Sequence, residues 1–361
     1  MNRVDAFLEL VVKQQASDLH LISGYPPRIR IHGEIAPVKY RSLSAEETLE
    51  LLHEIMPQRV RDAFERDGNT DFAYMASEEL RFRVNVFRHL GGVGAVFRTI
   101  SSRIRSLDEL RMPAVLKALA RNYSGLVLVT GPTGSGKTTT LTAMVDLINR
   151  ERKGHIITIE DPIEYVHDNR LCLVSQREVH THAESFGRAL RSALREDPDV
   201  ILVGEMRDLE TIRLAITAAE MGILVLATLH TSNAASTVER IINVFPPEEE
   251  PYIRSTLSTS LCGVVSQQLV RKRDGRGRTA AVEILINNAA VSNIIREGNP
   301  SQLENAIQSG GLQGMQSMDA ALHKLLDADV ISAREAYRHA HYKEEFATLA
   351  IREDPSLVDE I

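Results

Sequence analysis

The sequence predicts an α/β chain in two parts: a small α+β unit, then a mostly parallel, doubly wound sheet. Three observations carry this. Alternating stretches such as "RIRIHGEIAPV" and "LRFRVNVF" crowd the first hundred residues. From Pro113 onward the pattern changes to apolar runs, "GLVLVT", "HIITIE", "DVILV" and "ILVLATLH", separated by helical stretches. A length of 361 residues leaves room for two domains.

The elements follow in order. "MNRVDAFLELVVKQQ" places Val4, Phe7, Leu8, Val11 and Val12 on one helical face. Asp5 and Glu9 exclude a signal peptide, and an opposite face poor in Lys and Arg favours core packing over a membrane surface. "DLHLIS" and "RIRIHGEIAPV" read as strands, with His32-Gly33 as a turn. Ser44 and Glu47 in "SAEE" supply a capping box for a helix. "LRFRVNVF" and "AVFRTI", joined through "GGVG", read as a hairpin. The first domain is expected over residues 1–98 and a polar linker over 99–112, ending at Pro113. Residues 113–361 make the second domain. After about residue 245 it reads as mainly helical, with "TAAVEILI" as one further strand.

No apolar run approaches the roughly 18 residues of a membrane span. Cys172 and Cys262 lie far apart without a CxxC partner, which argues against a zinc site or a disulfide and suits a reducing cytoplasm. A net charge of −7 and the absence of tryptophan do not favour a nucleic-acid surface.

"GPTGSGKT" fits G-x-x-x-x-G-K-[ST] completely, after a strand and at the start of a helix. Gly131, Pro132, Thr133, Gly134, Ser135 and Gly136 form the loop. Its glycines let successive N–H groups turn towards one anion, and the helix N-terminus adds its dipole. Lys137 reaches the β- and γ-phosphates, the Thr138 hydroxyl can hold Mg²⁺, and Thr139 continues the first turn. In a parallel α/β sheet, ligands sit at the carboxyl ends of the strands. "DVILVGEMRD" ends its apolar run at Gly204 and Glu205. A carboxylate there can order the Mg²⁺ shell, through water, or the attacking water, and Gly204 would leave room for close approach. "HIITIEDPIEYVH" ends its apolar run at Glu160 and Asp161. Pro162 and the turn could hold Glu164 over the γ-phosphate as general base. "LVLATLHTSNA" ends in His230, which can sense the γ-phosphate by hydrogen bonding. His180 and His182 in "EVHTHAE" read as a solvated loop. Arg188, Arg191 and Arg195 stand at helical spacings of three and four, hence on one face. Arg207 follows Glu205 closely, and Arg83 and Arg98 lie on strands of the first domain.

Four motifs, "GPTGSGKT", "TIEDPIEYVH", "DPDVILVGEMRD" and "TLHTSNA", resemble those of the secretion ATPases that power type II secretion and type IV pili. The resemblance runs from "ASDLHL" to the C-terminal helices and is strongest to the pilus-retraction branch. It implies a PAS-like first domain joined to a RecA-like P-loop ATPase domain, assembled as a homohexamer, with ATP and Mg²⁺ between the domains. It implies Glu164 as catalytic base, Glu205 as Walker B acid and His230 as nucleotide sensor. Arg83, Arg98, Arg191, Arg195 and Arg207 would surround the nucleotide. The implied setting is cytoplasmic, peripheral to the inner membrane, with a pilus platform protein and a second retraction ATPase as partners and no nucleic acid.

Assembly motors of this family usually carry an extra N-terminal domain and a four-cysteine zinc module. This chain begins at the PAS-like domain and has two cysteines, so retraction is expected. "AAVSNIIREGN" resembles the retraction motif: Ala290, Asn293, Ile295, Arg296 and Glu297 match, whereas Val291, Ser292 and Ile294 depart. Ile223 stands where relatives usually have histidine. The rival readings are an accessory retraction ATPase or an assembly or type II secretion motor of the same family, a RecA-like nucleic-acid motor, and a non-hydrolysing nucleotide switch. The intact acidic box argues against the last.

Overall fold

A computed structural model describes residues 2–14, 16–31, 34–77, 80–100 and 103–359. The chain divides into two units, Met1–Arg103 with Pro162–Val166, and Ile104–Asp161 with His167–Ile361.

The first unit comprises α1 (Asp5–Lys13), β1 (Asp18–Ile22), β2 (Arg28–Ile31), β3 (Glu34–Pro37), α2 (Ala45–Ile55), α3 (Gln58–Asp67), β4 (Asn69–Met75), β5 (Arg81–His89) and β6 (Gly92–Ile100). Its six strands pair antiparallel in the order β3-β2-β1-β6-β5-β4. Val4, Leu8 and Val11 are fully buried, but Val12 is 42% exposed, so the core-facing stripe of α1 is narrower than the five residues expected. The three buried positions recur at four and three residues, one side of a 3.6-residue period; Val12 turns about 100° away from Val11. The capping box of α2 forms: Glu47 N–H donates to Ser44 Oγ, and Ser44 N–H to the Glu47 carboxylate. Phe64 of α3 packs in one core with Phe82, Val84 and Val86 of β5 and Ala95 and Phe97 of β6. β5 and β6 form the expected hairpin, with Arg83 opposite Arg98. The turn expected at His32-Gly33 lies outside the described residues.

The second unit holds α4 (Val115–Ala120), β7 (Gly125–Thr130), α5 (Lys137–Glu151), β8 (Gly154–Glu160), β9 (Cys172–Glu178), α6 (Phe186–Ala193), β10 (Val200–Val203), α7 (Leu209–Glu220), β11 (Leu224–Leu229), α8 (Ala234–Ile242), α9 (Glu250–Ser260), β12 (Leu261–Arg271) and β13 (Arg278–Ile286). Helices α10 (Ala289–Glu297), α11 (Leu303–Ser309), α12 (Met318–Asp327), α13 (Ala333–His339) and α14 (Lys343–Glu353) follow. Its sheet runs β13-β12-β7-β11-β10-β8-β9, parallel except for β13. Both faces are covered: on β7, Leu126 and Leu128 enter one core, while Val127 and Val129 enter the other. Burial on both sides explains why these strands read as continuous apolar runs. Thr99 and Ile100 complete β6, and Leu107 and Met112 pack into the second unit's core.

Three strands are not legible in the sequence: β4, β9 and β12. β12 falls in the region expected to be helical; α9 passes directly into it without a breaker, and burial on both faces removes the alternation that marks a strand. β9, "CLVSQRE", is an edge strand, polar and only partly buried, and its pairing to β8 defines it. Two of the departures in the sequence, Ser292 and Ile223, find packing roles. Ser292 Oγ donates to Ser258 O at 2.6 Å, tying α10 to α9, and Ile223 is buried in the core.

Candidate functional site

The carboxyl ends of β7, β11, β10 and β8 share one sheet edge, because Thr130 lies opposite Leu229, and Val203 opposite both Ala227 and Ile159. From that edge issue the loop at Gly131, then His230, Glu205 and Glu160.

At Gly131, φ is +141°, and an added Cβ would stand 2.2 Å from Gln267 O. At Gly136, φ is +87° at the N-cap of α5, and a Cβ would stand 2.8 Å from Gln267 Nε2. Both positions therefore require glycine. Gln267 comes from β12. Its Nε2 donates to Ser135 O at 2.6 Å, and its Oε1 accepts from Thr140 Oγ1 at 2.8 Å. It thus braces the loop against the first turns of α5. Gln267 is not legible in the sequence because its strand is not; "SQQ" inside an apolar run is the available signal.

Lys137 Nζ donates to Gly131 O at 2.9 Å and Pro132 O at 3.1 Å, so the cation lies over the loop. Pro132, Thr133 and Gly134 are exposed, and Thr138 and Thr139 are partly exposed on the first turn of α5. Ser135 Oγ is buried and has no hydrogen-bond partner among the described residues. A lysine, open amides at a helix N-terminus and an orphaned hydroxyl together suit an anionic polyphosphate.

Glu205 is held from two sides. Arg207 donates to its Oε2 at 2.6 Å, and His230 Nε2 lies 3.2 Å from Oε1. Burial pushes this carboxyl up, but the hydrogen bond and charge of Arg207, with His230 adding, outweigh it and hold the carboxyl below its ordinary value. The hydrogen bond to Glu205 holds the Arg207 guanidinium above its ordinary value. An ionised carboxylate at a strand end is the hard oxygen donor that Mg²⁺ takes, directly or through water. Gly204 does leave room, but for the backbone of β8 rather than a ligand: an added Cβ would stand 3.1 Å from Ile159 O.

The arginines separate. Arg191 on α6 pairs with Glu210 at 2.6 Å. Arg195 is not on the helical face expected for it, since α6 ends at Ala193 with Leu194 as its cap; it is exposed beyond the helix end. The "EDPD" that follows supplies the break, and Asp197 adopts φ +52°. In the first unit, Arg98 Nε lies 3.0 Å from Asp18 Oδ1, Arg30 Nε lies 3.8 Å from Asp18 Oδ2, and Arg83 Nε lies 3.6 Å from Asp71 Oδ1. Glu164 is partly buried in Pro162–Val166, the segment that groups with the first unit. His182 Nδ1 accepts from Glu178 N–H.

The family description "Type II/IV secretion system protein" matches residues 1–303. The chain belongs to that family. It is a nucleotide-binding P-loop ATPase, and the α/β fold expected for it agrees with a solved relative of the secretion ATPase family. That relative is the pilus retraction motor PilT with bound ADP: TM-score 0.89 at 42% identity, covering 96% of this chain and 98% of that one. The type IV pilus retractation ATPase PilT of Pseudomonas aeruginosa is 50% identical over 95% of this chain and 99% of its own length. The type IV pilus ATPase PilU of the same organism is 41% identical over 93% and 88%. Among the described residues, no helix is long and apolar enough to cross a membrane.

Proposed function

We propose that this chain is a Mg-ATP-hydrolysing, homohexameric motor that powers type IV pilus retraction. The likeness to the Pseudomonas aeruginosa retraction ATPase, spanning 95% of this chain and 99% of that protein, carries the reading. The domain scheme is a PAS-like unit that runs through β6 to Ile100, beyond the expected boundary at 98, and a RecA-like ATPase whose core already includes Leu107 and Met112, ahead of residue 113. The loop from Gly131 to Thr139 grips the phosphates through its amides. Lys137 exchanges its carbonyl partners for phosphate oxygens, offsetting charge that develops in the transition state. Thr138 and, through water, Glu205 would hold Mg²⁺, which supplies charge neutralisation on the β- and γ-oxygens. Glu164 takes the proton of the attacking water, the γ-phosphoryl–oxygen bond breaks, and ADP leaves with the bridging oxygen. His230 donates a hydrogen bond to the γ-phosphate. Arg83, Arg98, Arg191, Arg195 and Arg207 supply positive charge around the nucleotide.

The motor would sit at the cytoplasmic face of the inner membrane and act on the pilus platform protein, with a second retraction ATPase of the PilU kind as a further partner. The test measures ATP turnover and native mass together: the wild type should hydrolyse ATP as a hexamer, and Lys137→Ala should neither bind nor hydrolyse it. Deleting the gene should give hyperpiliated, non-twitching cells. Bald cells would refute retraction and point to an assembly motor.

A further inference from the structure

The four residues 230–233 join β11 to α8 and carry His230 at their start. One end of this loop is fixed by the sheet, since β11 is buried throughout and paired on both sides. At the other end, Asn233 and Ser236 form a capping box, and Thr237 Oγ1 donates to Asn233 O. Those ties are internal to the loop and helix and move with them. A tie from outside comes from β13: Glu283 Oε1 accepts from Ala234 N–H, the first amide of α8, at 2.7 Å.

The backbone of Met318, the first residue of α12, also favours the ionised form of this carboxylate. The hydrogen bond itself runs to Ala234, so the side chain pins the N-terminus of α8 to a core strand, an arrangement favoured by the helix dipole. Glu283 lies opposite Ser266 in β12, beside Gln267, which braces the phosphate loop. Ser232 and Asn233 share with Glu283 a cavity of about 200 Å³, lined also by Glu304, Asp319 and His341. This space gives Ser232 and Asn233 room to shift if the tie is cut. Burial, then the Glu304 charge, push the Glu283 carboxyl up against the two amides that favour its ionised form.

We infer that Glu283 is a positioning residue for hydrolysis: it fixes the start of α8 and so sets His230 against Glu205. The inference rests on the sensor role proposed for His230, whose Nε2 lies 3.2 Å from Glu205 Oε1. A displacement of about 1 Å at such a site can cost on the order of 100-fold in rate.

The test is a double-mutant cycle on the full-length hexamer with Glu283→Leu, His230→Ala and the double variant, reading kcat, KM for ATP and Kd for ADP. Glu283→Leu, which offers Ala234 N–H no acceptor, should lower kcat by roughly 10- to 100-fold and leave the ADP Kd within about twofold, because the phosphate loop is braced by Gln267. In the His230→Ala background it should cost no more than about twofold further. Glu283→Asp, one methylene shorter, keeps the charge but withdraws it from Ala234 and should behave like Glu283→Leu, whereas Glu283→Gln, whose amide oxygen still accepts from Ala234 N–H, should keep most of the activity. Wild-type turnover in Glu283→Leu, or its full loss added to that of His230→Ala, would overturn the inference while leaving the His230 reading intact. Wild-type turnover in His230→Ala would sink that reading, and the inference with it. Failure of both Glu283→Leu and Glu283→Asp to form hexamers would assign the residue to folding alone.

Discussion

Replacing Gln267 by leucine tests how the phosphate loop is shaped. Gln267 is 2% exposed, and its amide group satisfies Ser135 O and the Thr140 hydroxyl. Leucine fills similar space but makes neither bond. Thr140 can turn its hydroxyl to a carbonyl of its own helix one turn back, as mid-helix threonines do, so its loss is recoverable. The Ser135 carbonyl has no such substitute, and leaving a buried acceptor unpaired costs about 1–3 kcal/mol. Pro132, Thr133 and Gly134 are exposed, so the loop can relax and carry that carbonyl to water. The binding conformation must then be rebuilt when nucleotide arrives, and the cost appears in affinity. At a factor of ten per 1.4 kcal/mol, the ADP Kd should rise about 5- to 150-fold. Calorimetric titration of ADP into wild type and Gln267→Leu measures this. An ADP Kd within twofold of wild type would refute the claim that a strand outside the loop sets its shape.

Four further outcomes are expected. Gly131→Ala should abolish ADP binding, because its methyl would stand 2.2 Å from Gln267 O. Gly134→Ala, whose methyl meets nothing within 4 Å, should lose only the about 1–2 kcal/mol of left-handed backbone strain; equal affinities in the two variants would contradict the geometry. Glu205→Ala should bind nucleotide but hydrolyse it roughly 100- to 1,000-fold more slowly, read from single-turnover rates. Arg207→Ala probes the ion pair through pH. The Glu205 carboxyl is held below its ordinary value, so its stabilisation is present above the unfolded pKa and disappears as pH falls through the folded one. Denaturant unfolding should therefore show a stability gap between wild type and Arg207→Ala at neutral pH that closes below about pH 4; a gap indifferent to pH would contradict the pairing.

By itself the sequence determined the phosphate loop, the doubly wound plan and the capping box at Ser44, because each is written in residues that are neighbours along the chain. A glycine at 136 followed by Lys137 and Thr138 after a buried strand dictates local backbone and charge, wherever the rest of the chain goes. Tertiary structure alone decided what holds that loop, since Ser135 and the Gln267 that braces it are 132 positions apart. It also decided that Arg207 and His230 converge on Glu205, that Arg195 falls beyond the end of α6, and that Glu283 ties α8 to β13. The physical reason is that strand order and register bring distant residues together, and β12 and β9 lack the periodicity that would announce them. A strand buried on both faces, or a polar strand at an edge, is defined by its hydrogen-bonded neighbours rather than by its own residues.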